Sequence, residues 1–273
     1  MPDETTVIAS DGLPARKIKP HTREKFDRHG KYCGIFTRGM GAKWPSRLGY
    51  LELFAGSGLA VEKAEELDGC PLIAAAAEPG FARMALVEKD VELAAALQER
   101  LRRRGVGPER ALVLAGDAND PFVLAKAAEF LPAPGLIYAF IDPEDINGHW
   151  DAIRFLSDLY TRRQRFDFLI NLPVGSMKRN PGSDAITSVL GTSTWRGRVE
   201  AGEPLGIVIR ETLAEQFRGL GFNTAEHMEI RAYENETPVY DLVFASRHER
   251  GIEFWRKIQA ISPTGQRELK LFP

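Results

Sequence analysis

Leu51-Glu52-Leu53-Phe54-Ala55-Gly56-Ser57-Gly58 is the stretch from which the rest of the chain is read. Its apolar start predicts a buried strand, and its glycines predict a turn that opens a helix over Gly58 to Glu66. Glycine lacks the Cβ that blocks close approach and permits positive φ, so backbone N–H groups there can face a ligand. A helix N-terminus behind the turn would favour polar or anionic ligand groups. A nucleotide-like cofactor follows as the first hypothesis, with a plain tight strand-to-helix turn as the alternative.

Working outward, the spacing narrows the cofactor. A dinucleotide fingerprint needs a third glycine three residues after the second and an acid about 20 residues on. Val61 stands at the first of these positions, and the acid ending the next strand-like run, Ala82 to Glu88, comes about 30 residues past the turn. A third run, Ala111 to Ala115, ends at Gly116-Asp117-Ala118-Asn119, and a fourth, Leu136 to Ile141, ends at Asp142-Pro143-Glu144. Successive strands thus deliver polar residues at their carboxyl ends, where open α/β sheets bind ligands.

This succession resembles the class I S-adenosylmethionine-dependent methyltransferases. The resemblance implies a Rossmann-like fold, with a mostly parallel seven-stranded sheet and an antiparallel final strand. It also implies S-adenosyl-L-methionine as cofactor, with the Gly56 to Gly58 turn under its methionine part and Glu52, Phe54 and Ala55 among the cofactor-binding residues. Glu88 then takes the ribose hydroxyls and Asp117 meets the adenine, with Ala118 and Asp142 also among the cofactor-binding residues. One carboxylate suits two ribose hydroxyls, and an exocyclic amine wants another acceptor. Each acid alone could equally be a helix cap or a solvated charge.

Further pieces resemble the three-Cys-motif partner proteins, a bacterial family of methyltransferase-like fold. They are Lys19-Pro20-His21-Thr22 with Lys25 and Tyr32, the Glu52 to Gly56 turn, Gly69-Cys70-Pro71-Leu72, and Tyr240 to Ser246 running on to Phe254-Trp255. The match spans most of residues 19 to 258. Glu52 in place of Asp, Cys70 in place of Ser, and Glu144 after Asp142-Pro143 are departures. The family name implies a partner protein carrying a three-cysteine motif.

The 273 residues, 44% of them apolar, suffice for one sizeable core. No apolar run approaches a membrane span, and the charged N-terminal stretch lacks a secretory core, so the expected location is the cytoplasm. Two distant cysteines, Cys33 and Cys70, give neither a disulfide framework nor a metal-ligand spacing, and no metal is expected. With a net charge of -2, nucleic-acid binding would need a local basic patch. Arg100, Arg102, Arg103 and Arg104, and again Arg162, Arg163 and Arg165, fall at expected helix C-termini, where the helix dipole favours them without any ligand.

Periodic segments alternate between strand and helix. Residues 1 to 18 read as a polar arm and 19 to 273 as one domain. Helices are expected over His21 to Phe36, Val91 to Arg104, Pro121 to Phe130, Trp150 to Gln164 and Arg210 to Leu220. Phe166 to Asn171 reads as the fifth strand, and Phe222 to Arg231 and Val239 to Arg247 as the closing pair. The stretch 172–206, rich in Gly, Ser, Thr and Pro, reads as a lid or insertion over the cofactor edge. Its Trp195 either stacks on a planar substrate or pins the segment to the core.

Candidate chemistry lies at Asp142, Glu144 and Asn171. Amino-methyltransferases acting on bases place an Asp or Asn, then Pro-Pro and an aromatic, at the fourth strand end; Asp142-Pro143 matches half of that. Two nearby carboxylates could act as a base or hold a cation. Alternatively Asp142 supports the cofactor while Glu144 and Asp145 cap the next helix. The Asn171 amide can donate and accept beside Asp142. Cys70 reads as a small packed residue rather than a nucleophile, and His21 as a residue within reach of the cofactor pocket or a packed cap. Three functions follow: a methyltransferase acting on a nucleic acid or small molecule, a non-catalytic cofactor-binding partner subunit, and, disfavoured by Val61, a dinucleotide oxidoreductase.

Overall fold

The structure is a computed structural model that describes residues 5–159, 163–224, 227–233 and 236–261. Its elements in chain order are β1 (Thr6–Ile8), β2 (Pro14–Lys17), α1 (Thr22–Met40), β3 (Leu48–Leu53), β4 (Leu59–Glu62), β5 (Glu65–Asp68) and α2 (Cys70–Ala75). There follow β6 (Arg83–Glu88), α3 (Val91–Arg103), β7 (Ala111–Ala115), α4 (Pro121–Phe130), β8 (Gly135–Ile141), α5 (Trp150–Asp158) and β9 (Gln164–Leu172). The remainder is α6 (Val174–Arg179), α7 (Asp184–Leu190), α8 (Trp195–Glu200), α9 (Leu205–Gly219), β10 (Asn223–Thr224), β11 (Met228–Arg231), β12 (Pro238–Ser246) and α10 (Glu249–Gln259).

The main sheet runs β7-β6-β3-β8-β9-β12-β10, and β11 also pairs with β12. β3, β6, β7, β8 and β9 are mutually parallel, whereas β12 lies antiparallel to β9, with Val243 opposite Ile170. The expected mostly parallel sheet with a reversed final strand is what forms. It has eight strands rather than seven because the sixth position is split into β10 and β11, both antiparallel to β12.

Alternation along the central strands explains why both faces are covered. In β8, Ile137, Ala139 and Ile141 join the cluster beneath α4, α5 and α9, and Tyr138 and Phe140 join the one beneath α1, α3 and α10. A strand buried on both faces needs such a continuous apolar run. Asp90 and Asp120 start α3 and α4 by accepting backbone hydrogen bonds from the first turn, which fixes where the strand-to-helix loops end.

Four local expectations are corrected. The helix expected over Gly58 to Glu66 is a hairpin, β4 and β5, turning at Lys63, whose φ is 57°. The alternation Leu59-Ala60-Val61 is taken up by pairing with β2, and Gly69 N–H donates to Gly58 O at 2.8 Å to close the hairpin base. Residues 6–17 of the polar arm supply β1 and β2, so a second, four-stranded sheet β1-β2-β4-β5 forms. The 172–206 stretch is mostly helical, α6 to α8, with Met177, Ile186, Leu190 and Trp195 in the core. Trp195 pins it, donating its indole N–H to Thr187 Oγ1 at 3.1 Å. Finally, α5 ends at Asp158 and Gln164 already belongs to β9.

Candidate functional site

The first turn is built as its residues demand. Phe54 (φ 67°), Gly56 (φ 64°) and Gly58 (φ 80°) all take the left-handed region, which turns the chain sharply off β3. A Cβ on Gly58 would stand 2.7 Å from Leu97 Cδ1, so this glycine is required by packing against α3. A Cβ on Gly56 would meet nothing within 4 Å, because that residue faces the open cleft. Gly56 N–H is not free: it donates to Glu88 Oε2 at 2.7 Å. Glu88 Oε1 accepts from Asp90 N–H at 2.9 Å, so the carboxylate is fixed by two backbone donors and keeps lone pairs for a ligand.

Two adjacent cavities follow the carboxyl edge of the sheet and share Arg16, Phe54, Gly56 and Glu144 in their walls. The smaller, about 380 Å³, holds Glu88, Asp90, Asp117 and Ala118. The larger, about 460 Å³, holds Glu52, Ala55, Gly58, Lys25, His21, Asp142, Asn171 and Tyr240, with Arg16 and Lys17 of β2 on its rim. The second sheet is therefore a wall of the cleft. Arg100 secures it: this buried guanidinium bonds Asp11 at 2.8 and 3.0 Å, the carbonyls of Leu13 and Pro14, and Ser57 O in the glycine turn.

In the larger cavity, Lys25 Nζ donates to Asp142 Oδ2 at 2.5 Å and Asn171 Nδ2 donates to Asp142 Oδ1 at 2.7 Å. Burial opposes the Lys25 charge, but Asp142, Cys70 and Glu52 together outweigh it and hold the ammonium above its usual pKa. Burial pushes Glu52 well above the carboxylate range, although Tyr50 donates to it at 2.6 Å. Asn171 Oδ1 is buried without a hydrogen-bond partner. An orphaned acceptor at the end of a central strand, in a cavity wall, is a group waiting for a donor. At the other end Asp117 accepts from Asn119 N–H and Lys89, and these hold its pKa below the usual value.

The cofactor residues expected from the sequence, Glu52, Phe54, Ala55, Gly56, Gly58, Glu88, Asp117, Ala118 and Asp142, all line the two cavities. Of the catalytic candidates, Asp142 and Asn171 are joined, whereas Glu144 is drawn off to Arg16 at 3.2 Å. Neither Glu144 nor Asp145 caps α5, which begins after His149 without a side-chain cap. The helix N-terminus expected behind the glycine turn is absent, the hairpin having displaced it. Burial raises the Cys70 thiol pKa well above its usual value, in keeping with a packed residue. Arg100 is not a surface cation of the α3 terminus, and Arg162 lies outside the described residues. The sequence reading missed Arg16, Lys17 and Arg100 because their roles depend on β2 reaching β4. Among the described residues no cluster of His, Cys, Asp and Glu could hold a metal ion, and no helix is long and apolar enough to cross a membrane.

The strand order with its one reversed, inserted strand, and a cleft at the carboxyl ends next to a glycine turn, define the Rossmann-like class I methyltransferase fold. No family model and no curated protein matches the chain. Solved structures do match. The O-methyltransferase from Bacillus cereus in complex with SAH is 12% identical over 87% of this chain and 86% of its own, with a TM-score of 0.47. TYW2 from P. horikoshii in complex with MeSAdo is 13% identical over 90% and 73%, with a TM-score of 0.43. TYW2 from M. jannaschii in complex with AdoMet is 10% identical over 90% and 87%, with a TM-score of 0.41.

Proposed function

We propose that the chain is an S-adenosylmethionine-dependent methyltransferase. The observation that carries this reading is the two-part cleft, with backbone-fixed Glu88 at one end and the unpartnered Asn171 carbonyl oxygen at the other. The open space over Gly56 fits a cofactor laid across the turn. Glu88 would accept from the ribose hydroxyls, Asp117 from the adenine amine, and the Gly56 to Gly58 turn would carry the methionine part. The cofactor supplies an electrophilic methyl group when bound. The chain's own contribution is orientation: Asn171 Oδ1 takes a hydrogen bond from the acceptor, and Lys25 keeps Asp142 and Asn171 in register. Calorimetry should give saturable binding of S-adenosylhomocysteine and none of NAD. Glu88→Ala should weaken it by about 1–3 kcal/mol; unchanged affinity in the folded variant rejects the ribose role.

One observation favours a second reading. Both Asp142 oxygens are already engaged by Lys25 and Asn171, so this carboxylate is poorly placed to take a proton. A non-catalytic cofactor-binding subunit, serving a partner with a three-cysteine motif, is the corresponding proposal. Labelled methyl donor with cell extracts, with and without that partner, separates the two: no labelled product despite cofactor binding supports the subunit.

A further inference from the structure

Resting on the methyltransferase reading, we propose that the larger cavity takes a small aromatic acid bearing an O–H or N–H nucleophile, and that His21 accepts its proton.

Four observations converge. First, His21 is buried in the cavity wall, its ring edge-on to Tyr240 at 5.7 Å, and the Tyr240 hydroxyl donates to His21 O at 3.2 Å. Its ring nitrogens have no hydrogen-bond partner among the described residues. Burial, then Lys19 and Lys25, hold its pKa below the usual value, so the imidazole is neutral at pH 7 and free to accept a proton. Second, Lys25 lies one helical turn along α1, and its contact with Asp142 puts Asn171 Oδ1 in the same cavity. Third, the wall's charge is uneven. Arg16–Glu144 and Lys25–Asp142 are paired and Glu52 is driven towards neutrality, which leaves Lys17 and Lys19 without ion-pair partners among the described residues. Fourth, Phe26 and Tyr240 supply aromatic surface to the same cavity, with Lys25 Nζ 5.7 and 5.8 Å from their ring centres. Enclosure between the second sheet, α1 and β12, in a chain of net charge -2, suits a small acid rather than a polyanion.

In the step, the nucleophile's bond to the methyl carbon forms as the carbon–sulfur bond breaks, and the nucleophile's proton passes to His21. The sulfonium charge is lost, His21 gains a positive charge, and the lysine-bound acid is unchanged. Lys19 and Lys25 oppose that imidazolium, while Glu52, Asp142 and Glu144 are the carboxyl groups that line the same cavity, Asp142 being paired with Lys25 and Glu144 with Arg16.

The test uses the full chain with ¹³C-labelled histidine imidazoles, saturated with S-adenosylhomocysteine, and titrated by NMR with 4-hydroxybenzoate, 4-aminobenzoate and their methyl esters. The His21 signal is assigned by its loss in His21→Asn. Either acid should shift it saturably, raise its pKa, and bind about tenfold more tightly than its ester. Lys17→Glu/Lys19→Glu should remove that preference. Equal binding of acids and esters, or no His21 shift with the cofactor product bound, overturns the proposal alone. So do loss of S-adenosylhomocysteine affinity in the double variant, and methyl label transferred to nucleic acid rather than to small acids. Failure of the unmodified chain to bind S-adenosylhomocysteine overturns the methyltransferase reading and this proposal with it.

Discussion

Asn171 donates one amide hydrogen to Asp142 at 2.7 Å and leaves its carbonyl oxygen buried and unpartnered. Replacing that donor by a carboxylate sets two like charges face to face, so one of them must take up a proton. Asn171→Asp should destabilise the fold by about 1–3 kcal/mol at pH 7, and chemical denaturation should show part of the loss recovered at pH 5. Asp167 gives a second pH prediction. Burial raises its pKa from 3.8 to about 6, although Ser246 donates to it at 2.6 Å. The native state therefore binds the proton more tightly than the unfolded chain, and stability from this group is present below pH 4 and lost as pH rises towards 6. The loss amounts to about 3 kcal/mol. His29, pushed down to about 3 by burial, works in the opposite sense across the same window, because its unfolded form gains a proton as pH falls. The parent's own profile thus mixes the two. The difference between Asp167→Asn and the parent isolates one: the variant's relative stability should rise between pH 4 and 6 and then level off.

At the scale of elements, the β1–β2 hairpin depends on Arg100 of α3, which is 3% exposed and bonds Asp11 and three backbone carbonyls. Arg100→Met keeps the stem and deletes the donors to Asp11, Pro14 O and Ser57 O, while Leu13 O keeps its bond from Ala9 N–H. A stability loss of about 3 kcal/mol is expected, and limited proteolysis should cut residues 5–17 much faster than in the parent. Equal cleavage would mean that pairing of β2 with β4 suffices. This element also marks where sequence reading stopped. The five parallel strands were legible from their apolar runs, and Glu88, Asp117 and Asp142 from their place at strand ends. Leu59 to Asp68 was not, because its short alternating run has meaning only once Arg16 and Lys17 pair with Ala60 and Val61. Lys25 stood in a recognisable motif, but its reach to Asp142, 117 positions later, is a product of tertiary packing.

Over the whole molecule, α6 to α8 cover the sheet face opposite α1, while the cleft lining along β9 reaches Asn171 without drawing on those helices. Hydrogen exchange in α7 and α8 should therefore be slow, at core level, and unchanged by S-adenosylhomocysteine; strong ligand-dependent protection there would restore a covering role. The inserted strand has a different consequence. β12 sits between β9 and β10, so β10 and β11 have no edge to join until residues 238–246 have been synthesised. During translation β9 must wait with a bare hydrogen-bonding edge for a segment more than sixty residues downstream. Such a waiting edge is an invitation to pair with another chain. Ribosome-bound chains stopped near residue 235 should consequently be aggregation-prone and bind chaperones, whereas chains extended past α10 should not.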